Sequence, residues 1–97
     1  MIPEIALDPA AAGRLQKDLR GRLLRIAFTT GCGGSGYRLS VSDEPIEGDH
    51  LVEVGAVRIA LDDMAWRNLD GATIVVDEEE DGYLLDHPSA AVCVWCG

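Results

Sequence analysis

Ninety-seven residues, 47% of them hydrophobic and 26% charged, suffice for one domain over 1–97 with a modest core and are too apolar for a disordered chain. A formal charge of −9, from 17 acidic and 8 basic residues, repels phosphate backbones and argues against nucleic-acid binding. No apolar run approaches the ~20 residues of a membrane span, and the opening MIPEIALDP lacks the basic and long apolar regions of a secretory signal. The expectation is a cytoplasmic protein without a membrane partner, its thiols reduced.

Asp8-Pro9 has the form of a helix start, with Asp at the cap and Pro where a missing N–H costs nothing. Ala12, Leu15, Leu19 and Leu23 recur at three- and four-residue spacing, which predicts an amphipathic helix over about 8–20, ended near Gly21. The period then shortens to two. Leu24, Ile26 and Phe28 alternate with Arg25, Ala27 and Thr29, and Tyr37, Leu39 and Val41 alternate with Arg38, Ser40 and Ser42. These runs predict neighbouring strands joined by the glycine-rich stretch between them, with the Asp43-Glu44-Pro45 turn following.

Further strands are predicted at 51–54 and 57–61, with a tight turn at Gly55. Asp62 can cap a short helix over DDMAWRNLD, with Ala65 and Leu69 on one face, ending before Gly71. Two more strands, Ala72 to Val76 and Gly82 to Asp86, flank the acidic run 77–81. The acidic clusters 43–49 and 77–81 lack a calcium-loop pattern and read as solvated turns. The sum is a mostly antiparallel β chain with two helices, and the segment from His87 onward is left without an assigned element.

Chemistry concentrates on sulfur. Gly31, Gly33 and Gly36 satisfy G-x-G-x-x-G, but a dinucleotide site needs a helix opening on those glycines, and strand alternation follows instead. No lysine follows as a phosphate loop requires. The glycines instead clear space around Cys32, because residues without Cβ let the backbone approach a bulky group. Cys93 and Cys96 form C-x-x-C some sixty residues later. Soft thiolates suit iron–sulfur clusters or zinc, yet three are one short of a four-thiolate site. A fourth ligand would come from His87, from another subunit or from outside the protein. A thiol redox pair at Cys93 and Cys96 is the competing reading. No Ser-His-Asp or Cys-His arrangement supports nucleophilic catalysis, so no enzyme activity is expected. His50 stands far from the cysteines in sequence and carries no assigned role, and Trp66 and Tyr37 read as packing residues.

At these residues the chain resembles the HesB/IscA-like A-type iron–sulfur carriers. TTGCGGSGYRLSVSDEP is similar to the family's first cysteine loop, with its aromatic and a strand ending near Asp-Glu-Pro. LDGATI resembles its Leu-x-Gly-x-x-Ile segment, and DGYLLDHPSA its Gly-Phe-x-Phe-x-Asn-Pro-Asn-Ala. The likeness runs in order along nearly the whole chain and closes on a C-terminal cysteine pair. Here that pair is Cys93-Val94-Trp95-Cys96, where the family has Cys-Gly-Cys-Gly-x-Ser-Phe, and His87-Pro88-Ser89 stands for Asn-Pro-Asn.

The resemblance implies an α+β, mostly β fold: a small β-sandwich or half-barrel of two short sheets, with an N-terminal helix and one short helix. It implies that Cys32, Cys93 and Cys96 hold a [2Fe-2S] or [4Fe-4S] cluster, or iron, across a homodimer or higher homo-oligomer. The partners it implies are a cluster-donating scaffold and apo-protein acceptors. A Cys3His zinc site using His87, and a C-x-x-C redox protein, are the alternatives.

Overall fold

The computed structural model describes residues 3–31, 34–79, 82–87 and 93–96. Its elements are β1 (Ala6–Leu7), α1 (Pro9–Leu19), β2 (Leu23–Gly31), β3 (Gly34–Ser42), β4 (His50–Val54), β5 (Val57–Leu61), α2 (Asp63–Asn68), β6 (Thr73–Asp77), β7 (Gly82–Asp86) and β8 (Cys93–Cys96).

The start of α1 follows its sequence signal. The Asp8 carboxylate accepts the Ala10 N–H at 3.2 Å, and Pro9 opens the helix. Its end falls where expected, at Gly21. Arg20 and Gly21 both take positive φ, 51° and 84°, which turns the chain out of the helix immediately after Leu19. The buried stripe is therefore Ala11, Leu15 and Leu19, spaced four apart. Ala12 lies at its margin, and Leu23, which continues the spacing past the helix end, opens β2.

Two sheets form. The larger has the order β4-β5-β2-β3-β8 and the smaller β1-β6-β7. Strands that follow one another through short turns pair antiparallel: β2 with β3, β4 with β5, and β6 with β7. Three further pairings are parallel: β1 with β6, β2 with β5, and β3 with β8. The antiparallel ladders are the longer ones, so the chain is mostly antiparallel as expected, with three short parallel pairings that the sequence did not announce. Parallel partners need long connections, so they join segments far apart in sequence and leave no local signature. β1 and β8 are the two strands that the alternation pattern did not reveal.

One apolar cluster draws on both sheets and both helices, including Leu15, Leu24, Ile26, Leu39, Ile59, Leu61, Leu69, Ile74 and Leu85. Burying these side chains supplies the main driving force for folding. Phe28 and Tyr37, cross-strand partners, meet edge to face at 5.5 Å at the cluster's margin. Buried Tyr83 satisfies its hydroxyl by donating to Asp18 Oδ2 at 2.6 Å, tying β7 to α1.

Candidate metal centre

The hairpin that carries the first cysteine is longer than its alternation implied. β2 and β3 stay in register from Leu23 with Ser42 to Gly31 with Gly34. Ladder pairing therefore extends beyond Phe28 and begins again before Tyr37. Cys32 itself lies outside the described residues, immediately after Gly31.

The C-terminal pair is placed by backbone register. β8 runs parallel to β3 on the outer edge of the large sheet, with Cys93 opposite Tyr37 and Cys96 opposite Ser40. At about 3.3 Å of rise per residue, Cys93 stands about 10 Å along β3 from Gly34, and Cys96 about 10 Å further. The topology thus brings Cys93 to the half of the sheet nearest the Cys32 hairpin and sets Cys96 farther from it. Within the strand the two Cα atoms are about 10 Å apart, beyond the 4.4–6.8 Å range of a disulfide.

A row of contacts crosses the sheet at this level. β5 ends at Leu61, the partner of Ile26, so the next N–H on that side of β2, that of Phe28, has no strand to meet. It donates instead to Oδ2 of Asp62 at 2.7 Å, while Oδ1 accepts the Ala65 N–H at 2.8 Å as the cap of α2. The Asp62 N–H closes the ladder on the Ile26 carbonyl at 3.1 Å. One carboxylate therefore fixes α2 and the middle of β2 together. Phe28 pairs with Tyr37, and Tyr37 with Cys93, so the anchored row leads to the first cysteine of β8. The sequence signalled Asp62 as a cap; nothing in it signalled the second bond.

His87, the candidate fourth ligand, sits just past β7, with Nε2 2.8 Å from the Asp70 carbonyl. That bond makes Nε2 the protonated nitrogen, so ligation through it requires breaking the contact. His50 is not an isolated surface residue. It stacks on Trp66 at 4.3 Å and 20°, with Nε2 3.8 Å from Asp63 Oδ1. Trp66 packs against the core from α2, as its packing role implied.

The acidic turn 43–49 is solvated as expected from Asp43 to Gly48, and Asp49 is its exception. The Asp49 side chain is only 3% exposed and takes both Nε and Nη2 of Arg25, at 2.8 and 3.1 Å. Burial works to raise its pKa. The Arg25 bond, the Ile46 N–H, and the charges of Arg25 and His50 outweigh that and hold it below the ordinary 3.8. In the second acidic run Asp77 Oδ1 accepts the Glu79 N–H at 3.2 Å, a local turn bond. Among the described residues, no group of three or more His, Cys, Asp and Glu side chains is arranged to hold a metal ion.

The family model for iron-sulphur cluster biosynthesis matches residues 3–93. The chain belongs to the iron-sulphur cluster biosynthesis family. The match includes Cys32 and Cys93 and ends before Cys96. The chain is 37% identical over 101 residues to the protein Rv2204c of Mycobacterium tuberculosis, covering 96% of this chain and 86% of that one. Its fold is similar to that of Escherichia coli SufA, a protein involved in biosynthesis of iron-sulfur clusters, with a TM-score of 0.69 at 23% identity over 93% of this chain and 91% of that one. It is also similar to a crystal structure of IscA with the [2Fe-2S] cluster, with a TM-score of 0.64 at 28% identity over 91% and 88% of the two chains. The two-sheet architecture with two helices is that of this family.

Proposed function

We propose that this member of the cluster-biosynthesis family is a carrier rather than an enzyme. It takes up a labile iron–sulfur cluster, or iron, from a scaffold protein in the cytoplasm and passes it to apo-proteins. Cys32, Cys93 and Cys96 are the proposed ligands, shared between two copies of the chain. The observation that carries this reading is the parallel pairing of β8 with β3, which brings Cys93 to the half of the sheet where the Cys32 hairpin begins. Three thiolates form a soft donor set suited to iron and sulfide, and a second copy supplies what one chain lacks. The family match and the cluster held by the similar IscA support the same cargo. Holding Cys96 some 10 Å from Cys93 suits a cargo that must be released, since a preformed four-thiolate cage would retain it.

The redox alternative is disfavoured by the same strand. A Cys93–Cys96 disulfide requires β8 to leave its extended conformation. The zinc alternative with His87 requires displacing the Asp70 carbonyl or using Nδ1.

Anaerobic reconstitution with ferrous iron and sulfide tests the carrier. The expected result is charge-transfer absorbance with iron and sulfide bound, lost in Cys32→Ala and in Cys93→Ala, and transfer of the cluster to an apo-ferredoxin. Unchanged spectra in the cysteine variants, or stoichiometric zinc in anaerobically purified protein, overturn it.

A further inference from the structure

The chain's few cations are not spread evenly. Of its eight basic residues, Arg14, Lys17 and Arg20 belong to α1 and its C-cap, Arg22 follows the turn, and Arg58 faces that turn from β5. Arg25 and Arg67 are neutralised by Asp49 and Asp63, and the eighth, Arg38, lies on β3. The end of α1 and the β4–β5 hairpin enclose an open groove of about 450 Å³, lined in part by Gln16, Leu19, Arg22, Gly55, Val57 and Arg58.

Two guanidinium groups are built into its wall. Arg22 donates from Nε to the Leu19 carbonyl at 3.0 Å and from Nη2 to the Asp18 carbonyl at 3.4 Å. Arg58 stands opposite Glu53 in the strand register but forms no ion pair with it; its Nη2 donates to the Gly21 carbonyl at 2.7 Å. Among the described residues neither arginine has a carboxylate partner within 4.0 Å. Carbonyls at a helix C-terminus carry only a partial negative charge, about half a unit in total, so they hold these cations in place while offsetting only part of their charge. Each fork therefore keeps unused N–H donors, and its side chain is already ordered, so binding an anion costs little further rotamer entropy. The carboxylates nearby are Glu53, on the groove wall, and Asp18, which accepts the Tyr83 hydroxyl. Lys17 and Arg20 extend the positive field along the same end of α1.

We propose that this groove is a docking site for a short acidic segment of a partner protein, whose carboxylates pair with Arg22 and Arg58. A guanidinium fork matches a carboxylate in plane and spacing. The net charge of −9 does not prevent this. Screening confines exposed charges to about 8 Å at physiological ionic strength, and the molecule measures 31 × 31 × 23 Å, so most of its acidic surface is out of range. The same geometry selects against a long polyanion, which would run from the groove onto that acidic surface. The occupant is therefore short.

The test uses the apo-protein with all three cysteines changed to serine, so its outcome is independent of cluster binding. Isotope-labelled protein is titrated with a hexaglutamate peptide at low salt. Saturable shifts are expected at the amides of Gln16, Arg22, Gly55 and Ala56, with affinity falling by about tenfold in Arg22→Gln/Arg58→Gln and steeply with added salt. Because those arginines also bond the end of α1, Lys17→Glu/Arg20→Glu, which spares the carbonyl contacts, serves as the second variant and is expected to weaken binding several-fold. No saturable shift, shifts centred elsewhere, or affinity unchanged in the second variant overturns the proposal. Inorganic phosphate binding as tightly as the peptide also overturns it, by showing a small-anion site.

Discussion

The backbone N–H of Phe28 donates to Oδ2 of Asp62 at 2.7 Å, across a separation of 34 residues in sequence. The carboxylate's other oxygen caps α2 through Ala65, so one side chain satisfies an orphan donor of a strand and an orphan donor of a helix. Removing it leaves both exposed to a poorly solvated environment.

Asp62→Ala is therefore expected to destabilise the fold by about 2–3 kcal/mol, more than an ordinary cap loss of ~1 kcal/mol. Asp62→Asn keeps a single carbonyl oxygen, can satisfy only one of the two donors, and should fall between. Urea unfolding of the three proteins checks the order; an alanine variant no worse than a simple cap loss would show the Phe28 bond to be energetically idle.

Arg25 and Asp49 form a two-bond pair that pins the β3–β4 connection to β2. Arg25→Ala removes the partner of the carboxylate of half-buried Asp49 and is expected to cost about 1–3 kcal/mol. The folded pKa of Asp49 lies below its ordinary value. Its contribution is thus present above the unfolded-state pKa of about 4 and disappears as pH falls through the lower folded value. The stability gap between the natural protein and Asp49→Asn should be full at neutral pH and narrow below about pH 4. A gap that stays constant down to pH 2 would contradict the ion pair as its source.

The extended register of β8 forecasts how its two thiols behave. Mild oxidation of the apo-protein should leave Cys93 and Cys96 unlinked within a chain, because their Cα atoms are about 10 Å apart. Peptide mapping under non-reducing conditions decides this, and a dominant Cys93–Cys96 disulfide would mean that β8 does not persist in solution.

Leu15 is fully buried at the centre of the α1 stripe, against a cluster drawn from both sheets. Leu15→Ala is expected to cost about 2–5 kcal/mol, with the spread set by how far the helix can settle into the cavity. Denaturant unfolding measures it, and a loss below 1 kcal/mol would show α1 packing loosely.

Local physics was enough for the elements whose partners lie close in the chain. Asp8-Pro9 marked the start of α1, two-residue alternation marked β2, β3 and β5, and Asp62 marked α2 as its cap, because capping, turn chemistry and one-sided burial all act within a few residues. The three cysteines and the motifs around them pointed to the family for the same reason: they are statements about residue type and order. What the chain does with distant segments was decided only in three dimensions. β1 and β8 are too short to show a period, and each is defined by a parallel partner remote in sequence. Asp49 looked like one carboxylate of a solvated turn until folding set Arg25 beneath it, and Asp62 looked like a cap alone until β5 ended one residue too early to serve Phe28. Long-range pairing and burial supply those partners, and no window of the sequence contains both members of such a pair.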